Sequence, residues 1–141
     1  MKYGISNTSS KTDENEVGRI LEDAKKKGIC VIDTASAYGS AESVLGKFDL
    51  SDFRVITKFM PPKKGKTIAD ELQQSLEKLN LNKVDGFLAH RPNFLLENKG
   101  EWKKLQALKA CGKINKIGCS FNHPHEILEM LKCNMVPDLV Q

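Results

Sequence analysis

Short β-branched runs alternate with stretches of helical period along the chain, and this alternation leaves few folds open. The runs are residues 29–33 (ICVID), 54–58 (RVITK), 84–90 (VDGFLAH), 116–121 (KIGCSF) and 138–141 (DLVQ). Each begins roughly 22–32 residues after the last, the step of a β-α unit in a parallel sheet. The runs are apolar almost throughout, as strands are when a sheet is covered on both faces or closed into a barrel. The fold class is therefore α/β, with about five β-α units around a parallel sheet.

The intervening segments carry helix signals. Residues 13–27 place Val17, Ile20, Leu21 and Ala24 on one face, with Thr12 as N-cap and Gly28 as the stop. Residues 67–80 line up Leu72, Leu76 and Leu79, and Thr67 and Asp70 have the spacing of a capping box. Residues 99–111 carry Trp102, Leu105 and Leu108, a packing face that ends before Gly112. Residues 124–133 begin at Pro124, a favoured first helical position, and present Ile127, Leu128 and Leu131. A shorter helix is expected over 41–48, with Glu42 at its start. No linker or low-complexity segment interrupts the pattern, so residues 1–141 read as a single domain.

Composition narrows the function classes. Of the 141 residues, 40% are hydrophobic and 28% charged, the balance of a soluble globular domain. The apolar runs are strand-sized, far short of the ~20 residues of a membrane span. The first residues, MKYGISNTSS, hold no apolar signal core, so a cytoplasmic location and no membrane partner are expected. The net charge of +4 is spread along the chain, and its densest run, 61–66 (PPKKGK), has no interleaved aromatics; it reads as a solvated loop rather than a nucleic-acid site. Cys30, Cys111, Cys119 and Cys133 form no C-x-x-C pair, so zinc-ligand spacing is absent. Cys30 and Cys119 sit in apolar runs and are expected to behave as buried, reduced thiols.

Each strand-like run ends on a polar group: Asp33, Lys58, His90, then Ser120 and Asn122, then Gln141. In parallel β/α folds, chemistry gathers at the carboxyl ends of the strands. One such residue is usually structural, but five endings at the same rim converge on one mouth. Tyr38 lies just beyond Asp33. A free phenol ionises near pH ~10 and handles protons poorly at neutral pH. A neighbouring ammonium such as Lys58 stabilises the phenolate, and Asp33 supplies the counter-ion that keeps a lysine charged in an apolar setting. His90 can hydrogen-bond a carbonyl oxygen while Tyr38 donates a proton to it. This set suits carbonyl reduction but contains no hydride source, so a cofactor must supply one. A Schiff-base aldolase using Lys58 is a further option, disfavoured because Asp33 holds the amine charged.

The segment 33–39 (DTASAYG) followed by Glu42, the strand 55–58 (VITK) and 88–92 (LAHRP) resemble the aldo-keto reductases. The resemblance implies a (β/α)8 TIM barrel, of which this chain is a partial copy, and an NADPH-dependent reduction of an aldehyde or ketone, with NADH as the other option. It implies Asp33, Tyr38, Lys58 and His90 as the catalytic set. Residues 117–122 (IGCSFN) and 138–141 (DLVQ) are similar to the family's nicotinamide-holding strands, which implies Ser120 and Gln141 as cofactor ligands. The family's asparagine after the serine is replaced by Phe121, and Asn122, one step out of register, is the candidate substitute as a cofactor ligand. Arg91 and Asn93, following the histidine, are expected to line the substrate pocket.

A complete barrel of this kind takes about 250 residues. The chain, with 141, is expected to span strands two to six and to lack the first strand and the C-terminal part that holds the cofactor's phosphates. No Gly-rich phosphate fingerprint stands in for that part. Catalysis is therefore expected to be impaired, and the open sheet edges invite self-association. The alternative is a non-catalytic fragment or half-barrel that pairs with another chain.

Overall fold

The computed structural model describes residues 12–141, and the first residues, MKYGISNTSS, lie outside them. In order, the elements are α1 (Glu14–Lys26), β1 (Val31–Asp33), α2 (Ala41–Leu45), β2 (Arg54–Phe59), α3 (Ile68–Leu79), β3 (Val84–Ala89), α4 (Asn93–Glu97), α5 (Gly100–Ala110), β4 (Ile114–Cys119), α6 (Pro124–Lys132) and β5 (Leu139–Val140). The strands form one five-stranded sheet in sequence order, β1-β2-β3-β4-β5. Every neighbouring pair is parallel. The alternation seen in the sequence is thus realised, strand by strand.

The sheet is curled. In a flat sheet, four inter-strand steps of about 4.8 Å would hold the outer strands about 19 Å apart. Here the Gln141 side chain, one residue past β5, donates to Asp33 Oδ1, at the end of β1, at 2.9 Å. The two ends of the sheet therefore meet at the rim, and the strands make a partial barrel.

Register sorts the side chains. Thr57 lies opposite Phe87, and Phe59 opposite Ala89. These face the helices, where Phe59 and Phe87 stack at 4.8 Å between centroids. Leu72, Leu76 and Leu79 of α3 and Trp102 and Leu105 of α5 complete this outer core. The alternate positions point inward. A side chain at Gly86 would come within 3.0 Å of Ile56 and 3.2 Å of Leu139, so glycine leaves that interior space to its neighbours. Gly118 is required more strictly, because a Cβ there would lie 1.8 Å from the Leu139 carbonyl oxygen of β5.

Helix ends follow local chemistry. Thr67 and Asp70 form the full reciprocal capping box at the start of α3. α1 is capped by Asp13, not Thr12: the Asp13 carboxylate accepts from the Glu16 amide at 2.8 Å. Four residues of the apolar runs and faces are exposed, for one reason. Cys30 is exposed beside the edge strand β1, its sulfur accepting from Arg54 Nη2 at 3.6 Å. Ile20 of α1, and Leu128 and Leu131 of α6, are exposed as well. All flank the two ends of the sheet, where no further element covers them among the described residues.

Candidate active site

The polar strand endings converge. β1 ends on Asp33, and β2 presents Lys58 toward the same side. Lys58 Nζ donates to both Asp33 oxygens at 2.7 Å. The lysine side chain is 2% exposed, whereas Asp33 is 38% exposed. The lysine is thus held from beneath, with its charge balanced by a carboxylate that faces the mouth. Tyr38 lies in the β1–α2 loop, folded back by its own amide, which bonds the Ala35 carbonyl at 3.0 Å. This turn brings the phenol ring over the lysine, with Nζ 5.4 Å from the ring centroid.

His90 follows β3, its amide bonded to the Phe59 carbonyl at 2.9 Å. Its ring meets Tyr38 edge-on, 6.0 Å between centroids at 88°. Partial burial, and secondarily the Lys58 and Arg91 charges, push the His90 pKa below its ordinary value. The imidazole is therefore kept neutral at neutral pH, a donor on one nitrogen and an acceptor on the other. Asp33, Tyr38, Lys58 and His90 thus form one cluster.

The β4–β5 side of the rim is built differently. The Ser120 amide bonds the Ala89 carbonyl at 2.9 Å, which sets the serine level with His90. The Phe121 amide donates to the Gln141 carbonyl at 2.7 Å. Phe121 itself packs against the core. Asn122 is exposed and engaged elsewhere: its Oδ1 accepts from Arg91 Nη1, and its amide donates to Glu126 Oε2 at 2.7 Å. Asn93 begins α4, a short helix after Pro92 that the sequence pattern did not reveal. Cys119 is buried, and burial pushes its thiol up to about 12, which leaves it inert as a nucleophile.

Two features of the site escaped sequence reasoning. One is the Gln141–Asp33 hydrogen bond across the rim, which depends on curl. The other is the partnership made by Glu42, which stands in the first turn of α2 as its position in the sequence suggests. Glu42 is buried, and Thr57 Oγ1 donates to its Oε1 at 2.6 Å. The signal available was the position of both residues, one beside Lys58 and the other just beyond Tyr38. No group of His, Cys, Asp or Glu side chains among the described residues is placed to hold a metal ion. None of the described helices is long and apolar enough to cross a membrane.

The sequence matches the model of the aldo/keto reductase family over residues 1–141. The chain belongs to that family. It is 32% identical over 124 residues to the glyoxal reductase of Bacillus subtilis, covering 84% of this chain and 45% of that protein. It is 24% identical over 145 residues to an NAD/NADP-dependent indole-3-acetaldehyde reductase of Schizosaccharomyces pombe, covering 95% of this chain and 51% of the relative. Among solved structures, an aldo-keto reductase from Klebsiella pneumoniae in complex with NADPH superposes with a TM-score of 0.69 at 27% identity, over 84% of this chain and 44% of that one. The chain therefore spans about half the length of the aldo/keto reductases it matches.

Proposed function

We propose that this chain carries the proton-handling side of an NADPH-dependent carbonyl reductase site. The observation behind this reading is the Lys58–Asp33 pair set beneath the Tyr38 ring, with His90 edge-on to it. At the nicotinamide end of the cofactor, Ser120 would offer its hydroxyl and Gln141 its amide oxygen, the Gln141 amide nitrogen being given to Asp33. NADPH, when bound, supplies the hydride that reaches the carbonyl carbon. His90 then orients the substrate oxygen through a neutral imidazole N–H. Tyr38 donates its proton to that oxygen as the carbon–oxygen π bond gives way to the alcohol. The phenolate left behind would lie near Lys58 Nζ, which stands 5.4 Å from the ring centroid and is itself paired with Asp33. Arg91 and Asn93 stand beyond His90, where a substrate's distal part would lie.

The phosphate end fits less well. The start of α6 at the rim is already filled by the Glu126 carboxylate, which accepts from the Asn122 and His123 amides at 2.7 and 3.0 Å. The expected affinity of this chain for NADPH is weak, because no Gly-rich phosphate fingerprint is present, and a calorimetric titration showing micromolar binding would contradict that. The assay for the reaction itself is NADPH consumption with a generic aldehyde, followed at saturating cofactor. Turnover abolished in Tyr38→Phe supports the reductase; turnover that survives this change removes Tyr38 as the proton donor.

A second reading has its own observation. Ile29 and Val31 at one end of the sheet, and Leu128, Leu131, Val136 and Val140 at the other, are exposed. Such edges favour association with another chain, including a second copy. Absence of turnover in a folded, oligomeric chain would support this non-catalytic reading.

A further inference from the structure

Behind the sheet, on the side away from the mouth, lies a buried polar cluster that the proposed chemistry does not use. Glu42 is 2% exposed and Thr57 0%, and the two are joined by the Thr57 hydroxyl. The second Glu42 oxygen, Oε2, and the Thr34 hydroxyl are also buried, with no hydrogen-bond partner among the described residues. Asp33 is paired with Ile56, so Thr34 falls beside Thr57 in the continued register; its amide donates to the Ile56 carbonyl at 2.9 Å. Strand alternation then sends both threonines to the helix side, and Asp33 and Lys58 to the mouth side.

Each member of this cluster neighbours a mouth residue in the chain. Thr34 follows Asp33, and Thr57 precedes Lys58. Glu42 stands in the first turn of α2, tied to the Tyr38 loop by the bond from the Ala41 amide to the Tyr38 carbonyl at 3.3 Å. A carboxylate with an unused buried oxygen is a poor choice for stability, since an apolar side chain of similar size would fill the space without a desolvation cost. Its geometry is better explained by what it fixes in place.

We infer that Glu42 is a positioning residue: through its hydrogen bond with Thr57 it ties the Tyr38 loop to β2 and sets where the phenol stands relative to Lys58 and His90. This rests on the proposed reductase reading for its consequence, but not for its geometry. The acceptor oxygen is the part that matters. Glu42→Gln retains an acceptor for the Thr57 hydroxyl. Glu42→Met keeps much of the shape and removes the strong acceptor. Thr57→Val removes the donor alone.

The test reads the tyrosine directly. The chain has two tyrosines, so a protein labelled with 13Cζ-tyrosine gives two resonances, assigned with Tyr38→Phe. In the folded, unliganded chain, Glu42→Met and Thr57→Val are expected to shift the Tyr38 resonance and abolish the nuclear Overhauser effect between the Tyr38 and His90 rings. Glu42→Gln is expected to restore both. Where the wild type turns over aldehyde, kcat falls about 10- to 100-fold in Glu42→Met and Thr57→Val, with both KM values unchanged. A Tyr38 resonance that stays in place in folded Glu42→Met overturns the inference. So does Glu42→Gln behaving like Glu42→Met, because then the acceptor is irrelevant. If Glu42→Met fails to fold, Thr57→Val decides by the same spectrum. A wild type without turnover would sink the reductase reading alone, leaving the resonance to decide the positioning role.

Discussion

α3 and α6 carry the same kind of apolar stripe and meet opposite fates. Leu72, Leu76 and Leu79 of α3 are buried in the core that this helix shares with β2, α2 and α5, and the helix starts with a complete capping box. Leu128 and Leu131 of α6 face solvent, and only Met130 on that helix is buried. The stripe shows that a helix needs a partner; the position of its strand in the sheet decides whether it has one. The same division runs through the mouth. Lys58 and His90 stand at the ends of the interior strands β2 and β3, whereas Asp33 and Gln141 hang from the short edge strands β1 and β5.

Substitutions can break this contrast or sharpen it. Leu76→Ala leaves a cavity in the packed side and should cost about 2–5 kcal/mol in urea unfolding. Leu128→Ala, the same change on the exposed side, should move the midpoint by no more than about 0.5 kcal/mol. Equal losses at the two sites would mean that α6 is covered in solution, by a second copy for example, and sedimentation would show it. Thr67→Ala removes the α3 cap and should cost about 1 kcal/mol, while leaving Tyr38 chemistry untouched.

A pH series probes the mouth more gently. The His90 pKa is depressed in the fold by burial, so the unfolded chain binds the proton more readily. Its contribution to stability is full above the ordinary value of 6.5 and is lost as pH falls through the folded value. Thermal melts between pH 7.5 and pH 5, roughly, should therefore decline less steeply in His90→Gln than in the wild type. A steeper decline in the variant would contradict the burial of the imidazole.

Much of this arrangement was legible in the residues. The β-branched runs end on polar groups, and the structure brings Asp33, Lys58 and His90 to one rim as that pattern required. What was hidden depends on neighbours rather than on pattern. Cys30 looked buried because its run is apolar, but it lies beside an edge strand. Thr12 and Asp13 are both good caps, and only backbone geometry selects the aspartate. α4 was too short to show a period. Glu42 is a helix-start acid, as its position suggests, but its burial from behind the sheet leaves no mark in local sequence.

The hydrogen bond from Gln141 to Asp33 joins residues 108 positions apart. A contact of that span cannot form until the intervening β-α units have assembled, because its loop-closure entropy is recovered only when they hold the chain in place. The expectation to test is that it forms after the rate-limiting step. Gln141→Ala should accordingly speed unfolding and leave refolding unchanged, which makes this one amide a clock for the final curling of the sheet.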